Sequence, residues 1–90
     1  MSGIASLWSI HQCAHWPKGM GSHEGPLMTL DTVISGCVTY YLDEQRLDPP
    51  RIEMLEDCLA DLEALLPDIT GEAGDYFRRL HDLGRMLLEH

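Results

Sequence analysis

Three histidines and one cysteine near the start of the chain are the residues whose chemistry could bind a metal ion. His11, Cys13 and His15 occupy alternate positions, and His23 follows eight residues later. Zinc takes nitrogen and sulfur ligands of these types in tetrahedral geometry. Structural zinc sites, however, usually have two paired knuckles of ligands, and no turn-forming residue gathers the first three here. We therefore expect no cofactor, and zinc binding or metal sensing through these four residues is the alternative function.

Catalytic arrangements of residues are absent from the sequence. Ser22, His23 and Glu24 are adjacent, so their side chains cannot align as nucleophile, base and orienting group. The glycine-rich segment 19–25 lacks the Lys-Ser/Thr pair of a phosphate-binding loop. No Glu-x-x-His pair occurs from which a helical bundle could build a di-iron site. We therefore predict that the protein is not an enzyme.

Acidic charge in the C-terminal half is the strongest feature of the composition. The chain has 15 acidic and 6 basic residues, for a net charge of −9. Thirteen of the acidic residues follow residue 42, so the excess is local. Such a surface repels the phosphate backbone of nucleic acids. It suits a basic protein partner, or it serves only solubility.

Three segments after residue 25 have the length and apolar spacing of amphipathic helices. Pro- and Gly-containing stretches at 19–26, 47–50 and 66–71 separate them. In each of the last two segments, apolar residues recur at steps of three and four. They are Ile52, Leu55, Leu59, Leu62 and Leu66 in the second segment, and Ala73, Tyr76, Leu80, Leu83 and Leu87 in the third. We predict an all-α fold: a three-helix bundle with helices over 27–45, 49–66 and 71–88, the last two forming an antiparallel αα-hairpin. Residues 1–25 are predicted to be an irregular or partly disordered leader to the helical domain at 26–90.

The first of the three segments is ambiguous between helix and strand. Its apolar residues also step by three and four, from Leu27 to Tyr41. Residues 32–42 are nevertheless rich in the β-branched and aromatic types that sheets prefer, and Gly36 is unfavourable in a helix. A single strand would lack a pairing partner. Length and spacing therefore favour the helix.

Two surfaces of the predicted bundle could bind a protein partner. The first helix carries more apolar side chains than a hairpin can cover, and pairing with a second copy would bury them. The second helix places like charges at intervals of four residues. We predict a small acidic interaction or regulatory module, a homodimer with a basic protein as its further partner, that docks through Val33, Val38, Tyr40 and Tyr41 or through Glu53, Asp57 and Asp61.

Membrane and secretory signals are missing from the sequence. No apolar run approaches the roughly 18 residues of a membrane span, and the first ten residues lack the basic start of a secretory signal. The three cysteines are an odd number and lie far apart, at Cys13, Cys37 and Cys58, so a disulfide framework is not expected. We predict a cytoplasmic protein.

Overall fold

Four α-helices make up the computed structural model, which describes residues 3–89 and contains no strand in that range. They are α1 (Gly3–Gln12), α2 (Glu24–Glu44), α3 (Pro49–Leu65) and α4 (Gly71–Leu88), with 3-10 turns at Gly21–His23 and Leu66–Asp68. The all-α prediction is confirmed, and residues 32–42 are helical. Between residues 3 and 89 no helix is both long and apolar enough to cross a membrane. Residues 1, 2 and 90 of the predicted leader and helical domain lie outside the described range.

The leader is where the structure departs most from the predicted fold. An irregular leader followed by three helices is wrong, because Gly3–Gln12 form a fourth helix that packs against α4. On one face of α1, four residues lie at intervals of three, one and three, which is helical spacing: Ile4, Leu7, Trp8 and His11. Ile4 and His11 on this face are buried, and the two residues between them are half-buried against the core: Leu7 and Trp8.

The short connection between α2 and α3 has its own start and stop signals. Gln45 adopts a left-handed conformation with φ 60°, and its N–H donates to the Tyr41 carbonyl at 2.7 Å. Asp48 caps α3 by accepting a hydrogen bond from the backbone N–H of Arg51 at 3.2 Å. Pro49 occupies the first helical position, where a missing N–H costs nothing. The chain therefore reverses over a few residues and brings α3 against α2.

Helix α4 lies at the centre of the fold and packs against each of the other three helices. Three large apolar side chains of α4 are fully buried: Phe77, Leu80 and Leu83. His81 of α4 lies 2.6 Å from the Glu63 carboxylate of α3, and Gly84, one turn later, lies against Leu59, one turn earlier in α3. These two contacts therefore step backwards along α3 as they step forwards along α4.

Candidate interaction surface

Three exposed carboxylates form a row along the outer face of α3. This acid row consists of Glu53, Asp57 and Asp61, four residues apart, so successive carboxylates are separated by about 6 Å along the helix axis. Within residues 3–89 no basic side chain forms an ion pair with any of them. Arg51, the one basic residue in α3, donates instead to Asp48 at 2.6 Å. The acid row therefore presents unneutralised charge to the solvent.

An apolar cleft of about 460 Å³ opens between α2 and α3 at one end of the acid row. We call it the α2–α3 cleft. Its lining comes from the start of α2 and the end of α3: Pro26, Thr29, Leu30, Asp61, Ala64 and Leu65. Leu30 is buried and Leu65 half-buried, while the others are exposed. Asp61 belongs to both the acid row and the cleft, so the two features form one continuous surface.

The apolar face of α2, predicted as an interaction surface, is largely covered within one chain. Val38 is fully buried, so its assignment to an exposed surface is wrong. Val33, Tyr40 and Tyr41 are half-buried, and the Arg51 guanidinium lies 3.8 Å from the centroid of the Tyr40 ring. The sequence could not reveal this cover, because it comes from packing between helices. Homodimerisation through the three remaining residues stays a prediction.

The four candidate metal ligands of the leader face different surroundings. His11 is buried, and its Nδ1 accepts a hydrogen bond from the Arg79 Nε at 3.0 Å. His23 lies 3.8 Å from the Asp68 carboxylate, whereas Cys13 and His15 are exposed. Among residues 3–89 no three His, Cys, Asp or Glu side chains are gathered as a metal ion requires. Within the described residues, the zinc alternative therefore lacks an assembled set of ligands.

A half-buried polar cluster, which the sequence analysis missed, joins α1, α2 and α4. It consists of His11, Asp31, Tyr76 and Arg79. The Tyr76 hydroxyl donates to the Asp31 carboxylate at 3.0 Å, and the His11 and Tyr76 rings lie 4.3 Å apart. Because the His11 Nδ1 accepts from Arg79, the neutral ring carries its proton on Nε2, which lies 3.9 Å from Asp31 without a hydrogen bond. The helical spacing of His11 with Ile4 was the signal that could have placed it in the core.

Burial shifts the pKa of three ionisable side chains inside the fold. It raises the pKa of Tyr76, with further contributions from the Asp31 charge and hydrogen bond. Burial also raises the pKa of the Cys37 and Cys58 thiols above 9.0, and each is raised further by negative charge nearby. A thiol held protonated is a poor nucleophile. The two thiols are therefore weak nucleophiles at neutral pH, and the acid row with its cleft is the candidate site.

Comparison with known proteins identifies no relative. No protein-family model matches the chain, and neither a curated protein nor a solved structure matches it. A proposal about function therefore rests on the charge and shape of the acid row and the α2–α3 cleft.

Proposed function

We propose that this protein is a small acidic interaction module, without catalytic activity, whose acid row binds a basic segment of a partner protein. The observation that carries the proposal is the row itself: three exposed carboxylates of α3 without an ion-pair partner in residues 3–89. Like charges four residues apart destabilise a helix by a few tenths of a kcal/mol per pair. Cationic side chains of a partner would turn that repulsion into attraction and would speed association.

The opposite face of α3 supports this role because it is firmly packed. Leu55, Leu59 and Leu62 are buried in the core, so the acid row is presented on a rigid element. The proposal takes α3 and α4 as the antiparallel αα-hairpin expected from the sequence. The pairing of Glu63 with His81 and of Leu59 with Gly84 supports that arrangement.

Two further expectations belong to the same proposal. A cytoplasmic location is supported by the free state of Cys13, Cys37 and Cys58, since reduced thiols persist in that compartment. Homodimerisation through Val33, Tyr40 and Tyr41 has weaker support, because one chain already half-buries these side chains. The mass in solution by light scattering tests the homodimer separately from partner binding.

Affinity capture with matched charge variants tests the proposal. The acid-row variant carries Asp57→Asn and Asp61→Asn, and the control carries Asp75→Asn and Asp82→Asn, which make the same change in charge on exposed positions of α4. We expect a protein captured from the source cell by the wild type and the control to be lost by the acid-row variant. Its binding should also weaken with added salt, since exposed charges are screened. Equal capture by all three proteins would contradict the proposal.

A further inference from the structure

We infer that the segment bound by the acid row is a basic amphipathic helix that inserts one apolar side chain into the α2–α3 cleft. This inference rests on the proposed function and adds the chemistry and conformation of the partner. The acid row and the cleft are continuous, since Asp61 is both the last carboxylate of the row and part of the cleft lining. A ligand that neutralises the row from Glu53 to Asp61 therefore ends at the mouth of the cleft.

The lining of the cleft selects an apolar group with a cation beside it. Pro26, Leu30, Ala64 and Leu65 supply carbon surface. The Thr29 hydroxyl donates within α2 to the Gly25 carbonyl at 3.3 Å, so its polar atom already has a partner. The Asp61 carboxylate is then the charged group of the lining. An apolar interior beside one negative charge favours an aliphatic or aromatic anchor next to Lys or Arg and disfavours an anion.

The spacing of the acid row favours a helical partner. Carboxylates four residues apart repeat every 6 Å or so along α3, and basic residues four apart on a second helix repeat at the same distance. An extended peptide places alternate side chains about 6.7 Å apart, so its cations match the interval of about 6 Å in the acid row less closely. A helix satisfies its own backbone groups and leaves its side chains free for the row.

The position of the cleft also fixes where the apolar anchor stands in the partner. Ala64 and Leu65 follow Asp61 by three and four residues, which is one helical turn. The anchor should therefore lie one turn beyond the terminal member of three basic residues, each four apart. This is a groove-binding mode in which one apolar side chain provides the anchor and charges provide the register.

Two synthetic peptides and matched variants of the full chain test the inference. Both peptides are helix-forming sequences of about 18 residues with three lysines four apart, and they differ only in having leucine or alanine at the anchor position. Ala64→Phe fills the α2–α3 cleft from an exposed position, whereas Ala60→Phe makes the same change one turn earlier, in a separate depression beside α4. Circular dichroism confirms that each variant is folded, and calorimetric titration gives each Kd.

We expect the wild type and Ala60→Phe to bind the leucine peptide about tenfold more tightly than the alanine peptide, as partial burial of one leucine provides. The preference should vanish in Ala64→Phe. The Asp57→Asn, Asp61→Asn variant should bind both peptides more weakly and keep the preference. Equal binding of the two peptides by the wild type would overturn the cleft anchor and leave the acid row standing. Undiminished binding to the variant without these charges, or no binding of either peptide to the wild type, would overturn both.

Discussion

At the scale of single residues, Arg79 shows why a hydrogen-bond partner cannot always be predicted from the sequence. Helical spacing predicts an ion pair with Asp75, four residues earlier, yet the Arg79 Nε donates to His11 on another helix. Spacing identifies neighbours on the same helix only, and the contact with His11 exists because α1 packs against α4. The burial of His11 could have been predicted from its spacing with Ile4, whereas its hydrogen-bond partner could not.

Replacing His11 should reveal the contribution of its hydrogen bond with Arg79. His11→Phe keeps a ring against Tyr76 but removes the acceptor, so the half-buried Arg79 side chain loses this hydrogen bond. We expect the free energy of unfolding to fall by about 1 kcal/mol. In the double variant His11→Phe, Arg79→Met both polar partners are gone, and the loss should be smaller. Urea unfolding of the wild type, His11→Phe, Arg79→Met and the double variant measures the coupling, and a His11→Phe variant as stable as the wild type would refute it.

The raised pKa of Tyr76 makes stability fall at alkaline pH. Because burial raises this pKa above 10.0 in the folded state, the unfolded chain ionises first. The stabilisation is complete below that pH and is lost as pH rises above it. Cys37 and Cys58, raised from 9.0, act in the same direction. We expect urea midpoints to fall between about pH 9 and about pH 11, less steeply in Tyr76→Phe. An unchanged midpoint in the wild type would contradict the prediction.

At the scale of helices, three of the four that the structure describes were predicted from the sequence, and the α2–α3 cleft was not. The bounds of α3 follow from Asp48 and Pro49 at its start and Pro67 after its end, all local signals. Helix α1 was not predicted because the alternate positions of His11, Cys13 and His15 suggest an extended chain, whereas Ile4 and His11 have helical spacing. The acid row could be predicted from the sequence because it depends only on the period of one helix. The cleft could not be predicted, because it forms where the start of α2 packs beside the end of α3, and no local pattern contains that contact.

Two glycine substitutions separate close helix packing from intrinsic helix propensity. A Cβ at Gly84 would lie 2.6 Å from a methyl carbon of the buried Leu59, so the Leu59 side chain would have to shift. Gly36 is exposed on α2, and its Cβ position faces open space. Alanine favours a helix over glycine by about 1 kcal/mol, and overpacking costs about 1–3 kcal/mol.

We therefore expect Gly36→Ala to stabilise the protein, whereas Gly84→Ala should destabilise it by about 1 kcal/mol. Thermal and urea unfolding would measure both changes. Adding Leu59→Ala to Gly84→Ala should remove the overpacking term, so the two substitutions together should cost less than the sum of their separate effects. A stabilising effect of Gly84→Ala would mean that α3 and α4 do not approach closely at Gly84.

At the scale of the whole molecule, stability depends on every helix reaching one small core. A chain of this length buries only about 60% of the surface that its unfolded form exposes, and net stability is typically about 5–15 kcal/mol. Ile4 of α1 is as completely buried as Phe77 and Leu80 of α4. The leader is therefore a structural part of the bundle, and the acid row lies on a helix whose position depends on it through α4.

A chain that begins at Met20 should show how much the bundle depends on α1. It lacks Ile4 and His11, and it uncovers the part of α4 that they bury. Deleting one fully buried large aliphatic side chain costs about 2–5 kcal/mol, so losing the whole helix should remove most of the stability. We expect a low urea midpoint, strong binding of a hydrophobic dye and a tendency to self-associate through the uncovered face.

Ile10→Ser is the matched control, because Ile10 is 59% exposed on α1 and its loss should leave the midpoint unchanged. A truncated chain as stable as the full one would show that α1 adds nothing to the core, and the buried contacts of His11 would then have no energetic weight.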